Sequence, residues 1–274
     1  MDIVLRQIKK SKLMKPVHAK KALGQHFLRD ERIAERIAQI LPGQGLPVVE
    51  VGPGMGVLTK YLLEEHRTVK VIELDTESVE YLKVAFPDLK QDIINGDFLR
   101  VDLSTLFGAG RPFMVIGNYP YNISSQIFFK ILEYKDLIPV AGGMLQKEVA
   151  SRLASPPGSK EYGILSVLLQ AWYDVEYLFT VEPGVFTPPP KVKSGVIRIT
   201  RNGRTKLGCD EQLFRSVVKT TFNQRRKTIR NSIKPLLGTA NLPDSVDRLM
   251  AMRPEQMGVE DFVILTNAVN QAER

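Results

Sequence analysis

From Pro47 to about Gln146, apolar runs of strand length alternate with segments of helical spacing, and this alternation leaves few architectures open. The strand-like runs are VVEV at 48–51, VKVIEL at 69–74, DIING at 92–96, FMVIGN at 113–118 and a Gly/Met-rich stretch ending at Gln146. Between them, Val57, Leu58, Tyr61 and Leu62, then Val79, Leu82, Val84 and Phe86, predict helices over 57–66 and 76–86. Repeated strand–helix units give an α/β fold with a mostly parallel, doubly wound sheet, whose ligand crevice opens at the strands' C-terminal ends. Two later strand-like segments, 171–179 and 193–200, flank the stretch VEPGVFTPPPK and predict a hairpin at the sheet edge, although the connection is longer than a tight turn. After Arg201, RNGRTKLG reads as a linker. Leu213, Val217, Val218 and Phe222, then Ile229, Ile233, Leu236 and Leu237, predict a small all-helical domain. The expected division is a basic extension over 1–20, a sheet domain over 21–201 and a helical domain over 202–274.

A chain of 274 residues is long enough for such a two-domain arrangement. No apolar run approaches the roughly 18 residues that span a bilayer, and the basic N-terminus lacks the apolar stretch of a signal peptide, so a cytoplasmic protein without a membrane partner is expected. One cysteine, Cys209, permits no internal disulfide, and His18, His26 and His66 form no cluster with metal-ligand spacing, so no metal is expected. The net charge of +8 is unevenly spread: residues 1–36 carry +6 and 186–234 carry +11, whereas 37–185 carry −6 and 235–274 carry −3. Two basic blocks flanking a mildly acidic middle suit a polyanion gripped around a pocket, with a solvated basic face as the alternative for either block alone.

The loop EVGPGMG at 50–56 follows a predicted strand and precedes a predicted helix, the context in which a glycine-rich loop approaches a ligand. Gly52, Gly54 and Gly56 by themselves would serve a dinucleotide, or a plain structural turn, nearly as well. Their G-x-G-x-G spacing departs from the dinucleotide pattern, and Glu50 would repel a pyrophosphate but suit a ligand bearing an ammonium group. Glu73 ends the second strand, where a carboxylate can accept from ribose hydroxyls. Asp97 follows the third strand and can accept from an adenine amino group while Phe98 packs on the ring. Together these strand ends would hold the methionine, ribose and adenine of S-adenosylmethionine.

The most specific local signal is Gly117-Asn118-Tyr119-Pro120-Tyr121 after the fourth strand. The exocyclic amine of adenine is a poor nucleophile because its lone pair is delocalised into the ring. If the Asn118 side-chain oxygen and the Tyr119 backbone carbonyl each accept one N–H, the nitrogen is pushed toward tetrahedral geometry and its lone pair turns to a methyl donor. Pro120 shapes the turn, and Tyr121 would stack on the base; an Asx turn before proline is the bland alternative. No nucleophilic cysteine is evident, since Cys209 lies beyond the sheet. Phe186, in the FTPPPK loop, is expected opposite Tyr121 as the second ring around an extruded base, or else as a buried edge residue. Lys191 and the run Asn223-Gln-Arg-Arg-Lys-Thr-Ile-Arg230 supply phosphate-binding cations, with Arg225, Arg226, Lys227 and Arg230 expected within one helix; a solvated helix face is the alternative.

Taken together, KALGQHFL at 21–28, EVGPGMG at 50–56, VIELD at 71–75, GDFL at 96–99, GNYPYNISSQI at 117–127, QKEVA at 146–150, VFTPPPKVKSGVI at 185–197 and FNQRRKTIRNSI at 222–233 make the chain resemble the KsgA family of small-subunit ribosomal RNA adenine dimethyltransferases. The resemblance covers about residues 20–270. It implies a Rossmann-like methyltransferase sheet with a C-terminal helical domain. It also implies dimethylation of two adjacent adenosines in the 3′-terminal hairpin loop of small-subunit RNA during assembly of the 30S particle, by a monomer. By the same likeness, Gln25, His26, Leu28, Gly52, Glu73, Asp97 and Asn118 would bind S-adenosylmethionine, while Asn118, Tyr121 and Phe186 hold the adenine. Two positions depart from the family pattern: His26 stands where many relatives have asparagine, and Tyr119 where leucine is usual. The competing readings are an Erm-type large-subunit methyltransferase and a non-catalytic RNA-binding assembly factor. The FNQRRKTIRN segment and the long helical tail favour the small-subunit enzyme; intact Glu73, Asp97 and Asn118 favour catalysis.

Overall fold

The structure, a computed structural model, describes residues 17–272 apart from 44, 66, 67 and 239; the extension before residue 17 and His66 lie outside the described residues. Contacts divide the chain into two compact units. The first takes the residues up to Ala150 together with Glu176–Thr200, and the second takes Ser151–Val175 and the residues from Arg201 onward. The segment 151–175, inside the sheet range expected from sequence, thus groups with the C-terminal helices.

The first unit is built on a seven-stranded sheet of β2 (Val48–Val51), β3 (Val69–Glu73), β4 (Ile93–Asn95), β5 (Met114–Asn118), β6 (Val140–Gln146), β7 (Tyr173–Val181) and β9 (Ser194–Arg201), in the order β4-β3-β2-β5-β6-β9-β7. The pairs among β2 to β6 are parallel and β9 runs antiparallel to β6. The expected edge pair is therefore present, with the later strand β9 on the inside. Parallel strands covered on both faces read as continuous apolar runs, and β2 is buried at all four positions. Val48, Val71, Met114 and Ile116 point to one face and share a core with Ala34 and Ile37 of α1 (Glu31–Ala38), Leu62 of α2 (Thr59–Glu64) and Leu82 of α3 (Thr76–Ala85). Val49, Val51, Ile72 and Val115, alternating to the other face, are buried as well.

Local chemistry sets the helix starts. Asp30 accepts from the Arg32 and Ile33 N–H groups and Asp75 from that of Glu77, each satisfying donors that a first helical turn leaves free. A two-stranded ladder was not anticipated: β1 (Phe27–Leu28) pairs antiparallel with β8 (Phe186–Thr187), placing Leu28 opposite Phe186. The strand order reverses between β2 and β5, which are adjacent with Val51 opposite Gly117, so the ends of these two strands flank the switch point where doubly wound sheets bind ligands.

In the second unit, α7 (Glu211–Asn223) begins at Asp210, whose side chain accepts from the Leu213 N–H at 2.7 Å. It packs against α6 (Ile164–Gln170) and α11 (Val259–Ala272). Phe222 stacks on Phe262 at 5.9 Å between ring centroids, and Phe214 meets the same ring edge-on. Among the described residues no helix is long and apolar enough to cross a membrane, and none group as three or more potential metal ligands.

Candidate active site

The glycine loop, the end of β3, the turn after β4 and the Asn118–Tyr121 segment converge on one cleft in the first unit. Gly52, Gly54 and Gly56 all take positive φ, the region open mainly to glycine. Gly54 is tightly confined, since a Cβ there would lie 2.9 Å from the Phe27 ring. Gly52 and Gly54 line the cleft, whereas Gly56, expected there as well, is packed against the protein itself, where a Cβ would run into the Phe86 ring.

Glu73 is 5% exposed, and its carboxylate accepts from the Gly54 N–H at 3.0 Å and from the Asp75 N–H at 2.8 Å. Burial holds its carboxyl above the usual range. Asp97 accepts from the Leu99 N–H at 2.9 Å and lies 3.6 Å from the Arg100 guanidinium, with Phe98 buried beside it. Both carboxylates border the cleft together with Ile72 and Leu74, so acceptors alternate with apolar wall. Leu74 is 52% exposed, an apolar surface that the sequence pattern did not single out.

Glu50 does not border this cleft. It borders a smaller neighbouring cavity with Leu28, Met55 and Leu58, and its Oε2 accepts from the Thr59 hydroxyl at 2.6 Å. Burial pushes its carboxyl up to about 8, so near neutrality it stays largely protonated rather than offering a full negative charge to an ammonium group.

The Asn118 amide is held from behind: its Nδ2 donates to the His26 carbonyl at 3.1 Å. A reversed amide would set two oxygens against each other, so the contact fixes the orientation and leaves Oδ1 without a hydrogen-bond partner among the described residues. The His26 ring approaches the Tyr121 ring with centroids 5.3 Å apart, and its Nδ1 lies 2.8 Å from the Pro188 carbonyl, which requires that nitrogen to carry a proton. The Tyr121 hydroxyl in turn lies 2.5 Å from Ser194 Oγ of β9. Tyr119 and Pro120 border the cleft between these groups.

Phe186, expected opposite Tyr121, does not face the cleft. It is 1% exposed and belongs to the core cluster of its ladder partner Leu28, because the β1–β8 pairing turns both side chains inward. His26 occupies the position beside Tyr121 instead. Gln25 borders the cleft but is also structural, accepting from the Lys20 N–H at 2.8 Å, while Lys20 Nζ lies 2.5 Å from Asp75. This tie from the residues before β1 to the start of α3 carries no sequence signal on the Lys20 side. Ser194 was likewise missed, since a serine opening a strand has no distinctive pattern.

In the second unit, Arg225, Arg226 and Lys227 do not continue one helix: α7 ends at Asn223, a turn follows, and α8 (Ile229–Ser232) begins after Thr228. The Arg225 guanidinium points inward, donating to the Lys160 carbonyl at 2.7 Å and the Ser159 carbonyl at 3.3 Å. Arg226, Lys227 and Arg230 are exposed, Arg230 with Asp247 at 3.4 Å. Lys191 is exposed on the first unit.

Residues 17–271 match the family model described as ribosomal RNA adenine dimethylase. A protein of Parabacteroides distasonis called ribosomal RNA small subunit methyltransferase A is 65% identical over 92% of this chain and 94% of its own length. One of the same name from Bacteroides thetaiotaomicron is 62% identical over 94% and 97%. Among solved structures, a dimethyladenosine transferase from Plasmodium falciparum shares the fold, with a TM-score of 0.75 at 22% identity over 90% of this chain and 98% of that one. The 23S rRNA methyltransferase ErmE matches with a TM-score of 0.62 at 26% identity over 89% and 100%.

Proposed function

The chain belongs to the ribosomal RNA adenine dimethylase family, and from that premise we propose how this small-subunit ribosomal RNA adenine dimethyltransferase holds its reactants. The methyl donor is S-adenosylmethionine, which when bound supplies a methyl group on a positively charged sulfur. The cleft fits such a molecule: buried Glu73 and partly exposed Asp97 offer acceptors to hydroxyl and amino groups, Ile72, Leu74 and Phe98 offer apolar contact to a purine, and Gly52 borders the cleft at the strand end. Gln25 and His26 close the side formed by the residues before β1, whereas buried Leu28, expected to join them, borders only the smaller neighbouring cavity.

The observation that carries the reading is the Asn118 amide, locked by the His26 carbonyl with Oδ1 left unpartnered among the described residues. Asn118 Oδ1 accepts one N–H of the target adenine and the Tyr119 carbonyl accepts the other, which draws the nitrogen toward tetrahedral geometry and takes its lone pair out of conjugation with the ring. Tyr121, braced by Ser194, stacks on the base. The nucleophile is neutral and becomes acidic only as its new N–C bond forms, so its proton leaves to water without a dedicated base. Orientation of this kind is worth on the order of 7–11 kcal/mol of barrier. Exposed Lys191, Arg226, Lys227 and Arg230 contact phosphates of the RNA.

The substrate is two adjacent adenosines in the 3′-terminal hairpin loop, presented by an assembling 30S particle to a monomeric cytoplasmic enzyme. The name shared by the 65%-identical relative favours this target over the large subunit. Mass spectrometry of small-subunit RNA incubated with labelled donor tests the reading directly. Asn118→Ala abolishes methylation while particle binding persists; undiminished turnover in that variant removes Asn118 from the chemistry.

A further inference from the structure

The proposed chemistry uses only the carbonyl of Tyr119, yet its side chain is among the largest sealed inside the protein, at 1% exposure. Four contacts fix the residue. Its backbone N–H donates to the Met144 carbonyl at 2.8 Å, extending the β5–β6 pairing past the end of β5. Its hydroxyl donates to the Gly142 carbonyl at 2.7 Å. Its ring meets Phe128 edge-on, with centroids 5.6 Å apart and planes at 76°. Beneath the ring lie Gly117 and Gly143, which face each other across β5 and β6; a Cβ on either would come within 3.0 Å of ring carbons. The furrow that takes the ring exists because both facing positions lack a side chain.

Residue 119 nevertheless borders the cleft, whereas Gly117, Gly142, Gly143 and Phe128 do not. The ring therefore points away from the cleft, and what residue 119 presents to it is main chain. Pro120 follows, so the next peptide has no N–H, and a residue before proline is confined to extended conformations. The carbonyl is the polar group that this main chain can offer.

We propose that Tyr119 is a positioning residue whose buried side chain clamps its own carbonyl, so that Asn118 Oδ1 and this carbonyl act as a rigid pair of acceptors for the adenine amine. The inference rests on the acceptor roles proposed above. The apolar furrow accounts for the ring but not for the hydroxyl: phenylalanine would fill the same space, and only the bond to Gly142 fixes the far end of the side chain. With both ends tied, the main chain between them has little freedom to turn the carbonyl.

Two variants separate the parts of the clamp. Tyr119→Phe keeps the ring on the glycines and removes the tether; Tyr119→Leu removes both. Single-turnover methylation of undermethylated 30S particles is measured at saturating S-adenosylmethionine, with the donor's Kd from calorimetry and the particle's Kd from filter binding. Misplacing a reacting group by about 1 Å costs on the order of 10²-fold, so the rate is expected to fall by about three- to tenfold in Tyr119→Phe and toward about 10²-fold in Tyr119→Leu, with both Kd values within about twofold of the parent. A parent rate in Tyr119→Phe overturns the clamp, as does a rate loss matched by an equal loss of donor affinity. If Tyr119→Leu does not fold, Tyr119→Phe decides alone. A parent protein that methylates no adenine would sink the acceptor reading itself, whereas an active parent with an unaffected Tyr119→Phe sinks only the clamp.

Discussion

Replacing Glu50 with glutamine isolates the free energy of hiding a carboxyl beneath the glycine loop. Glu50 is 1% exposed, and burial raises its carboxyl from 4.5 to about 8. Between those values the folded chain keeps a proton that the unfolded chain has released. Stability therefore falls as pH rises through this window, with a limiting slope of about 1.4 kcal/mol per pH unit. The full window amounts to roughly 3–5 kcal/mol, the lower end allowing for relaxation around the charge once it forms. Glutamine keeps the volume, offers an oxygen to the Thr59 hydroxyl and cannot ionise. Relative to the parent, Glu50→Gln should thus gain little at about pH 5 and several kcal/mol at about pH 8. Glu73 is also raised, but it titrates in both proteins and largely cancels in their difference. Urea unfolding followed by far-ultraviolet circular dichroism across that range measures the difference at each pH. A constant difference between the two proteins would show that the Glu50 carboxyl ionises in the folded state as readily as in the unfolded one, and would refute the reasoning.

Phe186→Ala should lower stability by about 3–5 kcal/mol, the usual cost of emptying a buried aromatic site; an unchanged unfolding midpoint combined with weakened RNA binding would return the ring to the base. Arg226→Ala should reduce the slope of log affinity against log salt by about one, the mark of one lost phosphate contact. Arg225→Ala should leave that slope alone and lower the melting temperature, because its guanidinium is committed to the Ser159 and Lys160 carbonyls; equal slope changes in the two variants would contradict this assignment.

The parallel strands were legible because burial on both faces demands runs such as VVEV and FMVIGN; the helix over Glu31–Ala38 was not anticipated, its start being set by the Asp30 cap rather than by a run of apolar spacing. The placement of β9 inside β7 was not legible, since the chain between them is too long for turn geometry to dictate order. The β1–β8 ladder joins two-residue segments far apart in sequence, and no local pattern announces a partner at that distance. Of the two readings of Phe186, the buried edge residue agrees with the structure; beside three prolines it looks like a loop residue, and it is the pairing with Leu28 that buries it. Glu50 was misread because spacing gives a carboxylate's place along the loop but not which way it points, and Thr59 claims it from below. Arg225 sits in a run of like cations, and composition cannot tell which member turns inward. Asn118 and Tyr121 needed no such distant information, because the strand end delivers both to the cleft.

The brace on Tyr121 bears on when, during synthesis, the site is completed. Ser194 opens β9, the last strand of the sheet to be synthesised, and β9 must insert between β6 and β7 before its hydroxyl can reach the phenol. A chain ending at β7 already contains Gly52, Gly54, Glu73 and Asp97 of the cleft, yet lacks the Ser194 hydroxyl that meets Tyr121. The contact that steadies Tyr121 is thereby completed only by the last strand of the sheet to leave the ribosome.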